Sequence, residues 1–251
     1  MNNYKIALVT GATGGIGGAI ARNLANNGMK LVLTGRNSKK LAAITSELKD
    51  AVLYSEAIDM SDYKQIEAFV SNIYNEGINI DTLVNNAGLA LGLSSIDQSD
   101  LSDIMTMVDV NVKSLMILTT LISSKLKEQN HGIIINIGST AGQVAYANGA
   151  VYCATKAAVK TFADGVRVDL MESDVKVTTI MPGMVETDFS LARFKGDQEK
   201  ADNVYKGIDA LQAIDVAEAV WFVINQPKRC VISELALLAN QQGNGFTSFK
   251  K

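Results

Sequence analysis

The sequence predicts an α/β fold, in which helices flank one doubly wound parallel sheet and a single domain spans residues 1–251. Two observations support this prediction. Short runs of branched apolar residues alternate with longer amphipathic stretches from the first residues to beyond position 180. Most of these runs are almost continuously apolar, which is typical of strands covered by helices on both faces. The sequence contains no linker, repeat or low-complexity tract that would divide the chain.

The elements follow in a regular order. Six strands are predicted before position 182, at residues 5–9, 30–34, 51–58, 82–85, 132–137 and 176–181. Helices are predicted at residues 15–27, 38–49, 63–76, 101–128 and 152–172. Such alternation gives βαβ units, whose right-handed crossovers leave few topologies. The alternation then weakens, with a polar segment at 188–207, a helix at 215–225 and a short strand near 231–238.

The segment 188–210, called the cover segment below, is expected to cover the substrate. In open α/β sheets, ligands bind outside the carboxyl ends of the strands. Because this polar segment follows the sixth predicted strand, it begins at that edge of the sheet.

Composition and charge argue against several classes of function. The net charge of −3 and the scattered basic residues argue against a nucleic-acid partner, which would require a basic patch. Cys153 and Cys230 are too far apart for a disulfide framework or a zinc site, and His131 is the only histidine, so no metal site is predicted. The first residues lack a signal-peptide pattern, and no apolar run approaches the length of a membrane span. We therefore expect a cytoplasmic protein with no membrane partner.

A glycine-rich loop follows the first predicted strand. The sequence TGATGGIG, residues 10–17, joins that strand to the first helix. Glycines permit a tight turn and a close approach of the backbone to a pyrophosphate, and the helix N-terminus favours negative charge. A glycine cluster alone also fits an ordinary turn, but its position between strand and helix predicts a Rossmann-type dinucleotide site.

The end of the second predicted strand bears on the choice of dinucleotide. NAD sites usually place an acidic residue here, whereas an arginine suits the 2′-phosphate of NADP. Arg36, followed by Asn37 rather than by an acid, favours NADP over NAD, with a solvated surface arginine as the alternative. Asp59, next to Met60, is a candidate for the adenine edge, with a helix N-cap as the alternative.

Four residues are candidates for catalysis. Tyr152 and Lys156 lie four apart on a predicted helix and therefore share one face. A nearby ammonium group favours phenolate, so Lys156 is expected to lower the pKa of Tyr152 and make it a usable acid or base. Ser139, after a predicted strand, could hold the same substrate oxygen, and Asn111 is a polar residue within an apolar helix.

Each candidate also has a purely structural interpretation. Tyr152 and Lys156 could form an exposed helix pair. Ser139 could be an N-cap, and the Asn111 side chain could bond a neighbouring carbonyl. Their joint occurrence downstream of the glycine loop favours catalysis.

The combination resembles the classical short-chain dehydrogenase/reductase family over essentially the whole chain. The matching motifs are residues 10–17, Asn-Asn-Ala-Gly at 85–88, Asn111, Ser139, Tyr152 with Lys156, and Pro182-Gly183. The resemblance implies hydride transfer between a nicotinamide dinucleotide and an alcohol or ketone, with Tyr152 as the acid/base. It implies that Lys156 also binds the nicotinamide ribose, that Ser139 positions the substrate oxygen and that Asn111 holds a water in a proton relay.

Within the family, residues 85–92, 137–142, 193–197 and 218–221 resemble the NADP-dependent 3-hydroxy acid dehydrogenases, also known as serine or L-allo-threonine dehydrogenases. This resemblance implies oxidation of a 3-hydroxy acid at its 3-hydroxyl, the reverse reaction with carbonyl substrates, and a homotetramer, with a dimer as the alternative. The subunits would pair partly through the helices that contain Asn111 and Tyr152. One departure is Gly14, where many NADP-preferring relatives carry a basic residue.

The candidate cofactor residues come from the glycine loop, the ends of the strands and the catalytic helix: Gly11, Thr13, Gly15, Ile16, Gly17, Arg36, Asn37, Asp59, Met60, Asn86, Gly88, Tyr152, Lys156, Pro182, Gly183, Val185 and Thr187. Substrate contacts are predicted for Ser139, Tyr152 and Arg193. A guanidinium suits the carboxylate of a hydroxy acid, although Arg193 could instead lie at the surface or an interface. Two other functions stay open: reduction of 3-oxoacyl thioesters or general carbonyl compounds, and non-catalytic dinucleotide binding.

Overall fold

The computed structural model describes residues 4–250, so residues 1–3 and 251 of the predicted domain lie outside the described residues. Its strands are β1 (Ile6–Thr10), β2 (Lys30–Thr34), β3 (Val52–Glu56), β4 (Thr82–Asn85), β5 (Gly132–Ile137), β6 (Val175–Pro182) and β7 (Glu234–Leu237). They form one sheet in the order β3-β2-β1-β4-β5-β6-β7, and every neighbouring pair is parallel. The doubly wound parallel sheet predicted from the sequence is confirmed.

The helices connect these strands and cover both faces of the sheet. They are α1 (Gly15–Asn26), α2 (Ser38–Leu48), α3 (Tyr63–Asn75), α4 (Leu101–Val108), α5 (Ser114–Gln129), α6 (Ala150–Asp169), α7 (Phe189–Arg193), α8 (Gln198–Tyr205) and α9 (Ala213–Ile224). Side-chain caps set several helix starts: Asn37, Asp62 and Asp100 each accept a hydrogen bond from a backbone N–H in the first turn.

The core lies in two layers, one on each face of the sheet. Successive side chains of a strand point to opposite faces. In β1, Ala7 and Val9 belong to the cluster that contains residues of α1 and α9, whereas Leu8 belongs to the cluster that contains residues of α3 and α5. This double coverage explains why the strands are apolar along their whole length.

The predicted helix 101–128 is interrupted in the structure. Helix α4 ends at Val108, a π-helical turn follows at Asp109–Lys113, and α5 begins at Ser114. A π turn accommodates one more residue than an α turn and leaves the apolar pattern on either side intact, so the periodicity did not reveal it. The interruption places Asn111 at the middle of the turn.

The stretch Leu101–Gln129 is long and apolar enough to cross a membrane by length and composition alone. The expectation that no apolar run approaches this length was therefore wrong. Leu118, Ile122 and Leu126 of this stretch are fully buried in the core cluster that also contains residues of α3. The α5 part of the stretch packs one side of its surface into the core on one face of the sheet.

The cover segment is more regular than the sequence indicated, because it contains both α7 and α8. Its start is continuous with the carboxyl end of β6, and its return leads into α9. The cover segment is thus anchored at the edge of the sheet where parallel α/β folds bind their ligands.

Candidate active site

The loops after β1 and β4 are joined by Thr10 and Asn86. The Thr10 hydroxyl accepts hydrogen bonds from the backbone N–H of Asn86 (3.0 Å) and of Ala87 (2.9 Å). In return, the Asn86 side-chain amide donates to the Thr10 carbonyl at 2.8 Å. Strands β1 and β4 are neighbours from which the chain proceeds to opposite sides of the sheet, so these bonds hold the crevice at the topological switch point.

The glycine loop leaves no room for side chains at three of its positions. Gly11 has φ +65°, and a Cβ there would lie 2.9 Å from the Asn86 amide nitrogen. A Cβ at Gly17 would collide with the Gly11 carbonyl, and one at Gly15 would lie 2.7 Å from Thr187. The glycine backbone therefore packs directly against neighbouring protein atoms, and helix α1 begins without a side-chain cap. A bare helix N-terminus in such a cradle fits the pyrophosphate of a dinucleotide.

Gly14 differs from the other glycines of the loop. It is exposed, its φ is −91°, and the nearest atom to an added Cβ would be the Gly11 carbonyl oxygen at 3.4 Å. Thr13 packs closely beside Gly35 at the end of β2, where an added Cβ would lie 2.7 Å from the threonine hydroxyl. Ile16 packs against the core from the first turn of α1.

The proposed adenosine end of the site lies beyond β2 and β3. Arg36 and Asn37 are exposed, and the Asn37 side chain caps α2 by accepting from the Lys40 N–H at 3.0 Å. Asp59 accepts two hydrogen bonds from Ser61, which keep the pKa of its carboxyl below the ordinary value, and the Arg36 charge contributes in the same direction. The N-cap of α3 is Asp62, so the N-cap interpretation of Asp59 is wrong. Met60 is buried.

Tyr152, Lys156 and Ser139 come together at the carboxyl end of β5. The Lys156 ammonium is buried, donates to the Ile137 carbonyl at 2.9 Å and lies 5.9 Å from the centroid of the Tyr152 ring. Ser139 lies beside Tyr152 and favours its phenolate form. The buried ammonium excludes the exposed-pair interpretation of Tyr152 and Lys156.

Burial has the largest effect on the pKa values of Tyr152 and Lys156. It raises the pKa of Tyr152 above the ordinary value, although Ser139 and the charge of Arg193 act in the opposite direction. Burial also lowers the pKa of Lys156 to about 8. The lowering of the Tyr152 pKa that was expected from Lys156 is therefore not found: burial raises the pKa, and the opposing contributions come from Ser139 and Arg193.

Ser139 also has the structural role that its sequence position allowed. Its hydroxyl accepts a hydrogen bond from the Ala141 N–H at 3.1 Å and so caps the short 3₁₀ turn Thr140–Gly142. The same hydroxyl donates to the Pro182 carbonyl at 3.4 Å. The cap fixes the Ser139 side chain between β6 and Tyr152.

Asn111 is buried and bonds the loop after β4. Its side-chain oxygen accepts from the Leu89 N–H at 2.8 Å, while its amide donates to the Leu89 carbonyl (2.8 Å) and to the Thr155 hydroxyl (3.1 Å). Both amide hydrogens thus have protein partners. A Cβ on Gly88 would lie 3.3 Å from the Asn111 oxygen and 3.4 Å from the Lys156 nitrogen, so Gly88 lies between the two side chains.

The turn after β6 brings the remaining candidate cofactor residues to the same edge. Gly183 donates its N–H to the Leu237 carbonyl at 2.7 Å, and Val185 pairs with Leu211. Pro182 closes β6 beside Ser139, and Thr187 packs against the glycine loop. These residues all lie at or just beyond the carboxyl end of β6, and Thr187 contacts the glycine loop.

Arg193 reaches from α7 across to the loop after β4. Its Nε donates to the Gly92 carbonyl at 3.2 Å, and its backbone carbonyl accepts from the Gly92 N–H at 3.0 Å. Its Nη2 donates to the Tyr146 hydroxyl at 2.8 Å. Arg193 and Tyr152 line one pocket together with residues of α4 and the start of α6. Arg193 is thus partly buried beside the phenol rather than free at the surface.

Several contributors carried no signal in the sequence. Tyr146 orients Arg193 but lies in an irregular segment. Phe189 stacks obliquely on Tyr152 with 5.8 Å between ring centroids, yet it is distant in sequence. Asp103, which forms an ion pair with Lys195 at 2.9 Å, lines the same pocket as Arg193. A motif search could have flagged none of them, because each acts through a contact between distant segments.

Comparison with known proteins agrees with this geometry. Residues 5–198 match the model of the family described as "short chain dehydrogenase". The NADP-dependent 3-hydroxy acid dehydrogenase YdfG of Shigella flexneri is 45% identical over 234 residues, covering 93% of this chain and 94% of the relative. The serine 3-dehydrogenase of Agrobacterium fabrum is 40% identical over 245 residues, covering 97% and 98%.

Solved structures show the same similarity. The closed form of serine dehydrogenase complexed with NADP+ matches with a TM-score of 0.93 and 42% identity, covering 98% of this chain and 99% of that chain. Serine dehydrogenase from Escherichia coli matches with a TM-score of 0.83 and 39% identity, covering 95% and 99%. Since the family match spans most of the chain and the relatives cover nearly all of it, this protein belongs to the short-chain dehydrogenase family.

Proposed function

We propose that this protein is an NADP-dependent dehydrogenase that oxidises 3-hydroxy acids, such as serine or allo-threonine, at the 3-hydroxyl and reduces the corresponding ketones. The observation that carries the proposal is that the Arg193 guanidinium and the Tyr152 phenol line one pocket, with 5.8 Å between the guanidinium carbon and the ring centroid. A cation for a carboxylate thus lies beside an acid/base for a hydroxyl. The relatives named as 3-hydroxy acid and serine dehydrogenases support the same substrate class.

The nicotinamide cofactor, when bound, would supply the hydride acceptor for oxidation and the hydride donor for reduction. The bare backbone at Gly11, Gly15 and Gly17 would hold its pyrophosphate, and Arg36 its 2′-phosphate. The other proposed contacts are Thr13, Ile16, Asn37, Asp59, Met60, Asn86, Gly88, Lys156, Pro182, Gly183, Val185 and Thr187. The solved relative in complex with NADP+ supports this choice of cofactor.

Proton transfer would fall to Tyr152. In oxidation its phenolate oxygen would accept the proton of the substrate hydroxyl, and in reduction its phenol would donate a proton to the carbonyl oxygen. The Ser139 hydroxyl, which lies beside Tyr152, would hold the same substrate oxygen. The buried Lys156 ammonium would stabilise the phenolate, and Asn111 would anchor the adjoining loop through Leu89.

Arg193 would bind the substrate carboxylate. A guanidinium has five N–H donors. Among the described residues, two of these donors bond Gly92 and Tyr146, which would leave the edge formed by Nη1 and the second Nη2 hydrogen for a bidentate carboxylate. A 3-oxoacyl thioester has no carboxylate at this position, so this edge favours a small free acid over that alternative substrate.

We extend the proposal to assembly and location: a homo-oligomer, a tetramer or a dimer, in the cytoplasm. Helix α4 exposes Leu101 (76%), Met105 (66%) and Val108 (42%), and α6 exposes Val168 (65%). Adjacent apolar side chains of this size are typical of protein interfaces. Light scattering on the purified protein measures the assembly, and a monomer would contradict it.

The test is cofactor reduction, followed by the absorbance of the reduced nicotinamide, with L-serine, L-allo-threonine, 3-hydroxybutyrate and an uncharged secondary alcohol. We expect turnover of the hydroxy acids with NADP+ and little with NAD+. Arg193→Ala should raise KM for the acids but not for the uncharged alcohol, while the exposed control Arg229→Ala should change neither. Activity only on acetoacetyl thioesters or diketones would contradict the substrate class while leaving the family assignment intact.

A further inference from the structure

The residues just before and just after the cover segment meet at a narrow neck. The chain leaves β6 through Met184 and Val185 and returns at Leu211, where Val185 and Leu211 pair in parallel. The Leu211 N–H donates to the Met184 carbonyl at 3.0 Å, and the Glu186 N–H donates to the Leu211 carbonyl at 2.8 Å. The cover segment is therefore joined to the rest of the domain through this neck, and any movement of the segment has to bend the chain there.

The C-terminal tail is the chain that follows β7. The side chain of Gln242 in this tail binds the neck at Met184, where the chain leaves β6. Gln242 is 7% exposed, and its side-chain oxygen accepts the Met184 N–H at 2.8 Å and the Ala239 N–H at 3.3 Å. A Cβ on Gly183 would lie 2.5 Å from the same oxygen. The buried amide thus packs directly against the backbone of the turn that follows β6.

The adjacent Gln241 binds the returning end. Its side-chain oxygen accepts the Asp209 N–H at 2.7 Å, and its amide donates to the Gly207 carbonyl at 3.0 Å and to the Phe249 carbonyl at 3.0 Å. Two consecutive side chains of the tail therefore hold opposite ends of one segment.

The tail itself is folded back on its own backbone and reaches the catalytic group. The Gly243 N–H donates to the Thr247 carbonyl, and the Phe249 N–H donates to the Gln241 carbonyl, both at 2.9 Å. A Cβ on Gly245 would lie 3.0 Å from the hydroxyl of Thr140, the residue that follows Ser139. The tail is a folded element at the active-site edge.

From these contacts we propose that Gln242 is a positioning residue for the cofactor: by holding the Met184 N–H it fixes the turn Pro182 to Val185 in the conformation that receives the nicotinamide. Gln241 acts with it by fixing the returning end of the cover segment. This inference rests on the cofactor site proposed above. It assigns a function to the C-terminal tail, which carries none of the sequence motifs.

The proposed effect of Gln242 depends on the backbone N–H of Met184. Met184 is only partly exposed, and its N–H bonds a side chain, so removing the acceptor leaves the amide without that partner and frees the turn. Losing a hydrogen bond of this kind corresponds to about a tenfold change in an equilibrium constant. The Gln242 amide also donates to the Asn244 carbonyl at 3.4 Å. A carboxylate cannot make that donation but can accept the Met184 hydrogen bond, so glutamate at position 242 should preserve the contact with the turn.

The experiment compares Gln242→Met, which removes the acceptor at similar volume, with Gln242→Glu, which keeps it. Hydrogen exchange of the peptide that contains Met184 is followed by mass spectrometry without cofactor, and NADP+ affinity is measured by calorimetry. In Gln242→Met we expect exchange of that peptide to accelerate about tenfold, exchange of β1 and β5 to stay unchanged, and the Kd for NADP+ to rise about tenfold. Gln242→Glu should restore both, and the exposed control Gln98→Met should match wild type.

Unchanged exchange at Met184, or faster exchange with an unchanged Kd, would overturn the positioning role. Faster exchange throughout the sheet would also overturn it, because it would indicate general destabilisation. A wild-type protein that binds no NADP+ would contradict the proposed function instead. In that case the exchange comparison, which needs no cofactor, would still show whether Gln242 holds the turn.

Discussion

The guanidinium carbon of Arg193 lies 5.8 Å from the centroid of the Tyr152 ring, and both residues face the same pocket. Burial raises the pKa of the phenol, and the Arg193 charge partly offsets this by favouring the phenolate. Arg193, which we propose as the ligand of the substrate carboxylate, is therefore also expected to influence proton transfer. The two effects can be separated by measuring kcat at saturating substrate.

Arg193→Gln is expected to move the pH profile of kcat for alcohol oxidation upward by about one pH unit. Oxidation needs the phenolate, and removing the nearby cation makes the phenolate harder to form. The measurement is kcat against pH with saturating hydroxy acid. Arg229→Gln, at an exposed position, serves as the control. A profile that does not move would show that Arg193 acts on binding alone.

Tyr152→Phe is expected to reduce oxidation and reduction by about 10²–10⁴-fold, because it removes the acid/base but keeps the ring. NADP+ affinity should change little, since the ring still packs on Phe189. Steady-state rates and calorimetric titration check the two statements. Tyr63→Phe, on the exposed face of α3, is the matched control. Residual activity close to wild type would assign the proton transfer to another group.

The raised pKa of Tyr152 also sets the direction in which pH acts on wild type. Below that pKa the phenol keeps its proton, so ketone reduction should be retained through neutral pH. Alcohol oxidation should increase as the pH rises toward the pKa, because it depends on the deprotonated form. Rates in both directions across the pH range check this. Oxidation that falls with rising pH, while the protein stays folded, would contradict the assignment.

Lys156→Met is expected to abolish catalysis and to change the pH dependence of stability. Burial lowers the pKa of Lys156 from 10.5 to about 8, so between these values the unfolded chain binds more protons than the folded protein. Between pH values of about 8 and 10.5, the contribution of Lys156 to the free energy of unfolding therefore rises with pH. Below about pH 8 the folded protein carries the full cost of the buried charge. Lys156→Met should remove this rise and be no less stable than wild type near neutral pH.

Urea unfolding at several pH values between about 7 and 10 measures this effect. Lys127→Met, on an exposed part of α5, should leave the pH dependence of wild type unchanged. Parallel curves for wild type and Lys156→Met would show that the ammonium is not desolvated in the folded protein.

Arg36→Leu is expected to raise the Kd for NADP+ by about 10–100-fold and to leave the Kd for NAD+ nearly unchanged. A charge-assisted bond to the 2′-phosphate is worth about 1.5–3 kcal/mol, and NAD+ lacks that phosphate. Titration of both cofactors against wild type and variant checks the expectation. An equal loss of affinity for both cofactors would instead show that Arg36 contacts a part of the dinucleotide that NADP+ and NAD+ share.

Most of the fold could be predicted from the sequence because the parallel sheet is covered on both faces. Strands in such a sheet are nearly continuous apolar runs, which are recognisable in the sequence. The sequence could also predict the pairing of Tyr152 with Lys156, since four residues correspond to one helical turn. The π turn at Asn111 was missed because one extra residue shifts the phase of an apolar pattern without breaking it.

Contacts between distant segments were beyond such reasoning. Tyr146 meets Arg193, and Gln242 meets Met184, only after the cover segment and the tail have folded over the sheet. The direction of the Tyr152 pKa was also misjudged. Sequence spacing reveals the neighbouring charge of Lys156 but not the loss of water, and the loss of water dominates.

The open space at Gly14 has an evolutionary consequence. At Gly11, Gly15 and Gly17 an added Cβ would meet protein atoms at 2.9 Å or less. Gly14 is instead exposed and has an extended conformation that any amino acid adopts, and the nearest atom to an added Cβ is 3.4 Å away. A glycine codon becomes an arginine codon through one nucleotide change, which would place a second cation near the dinucleotide without rebuilding the loop. Cofactor preference in this scaffold can therefore drift in single mutational steps at a position separate from the catalytic group.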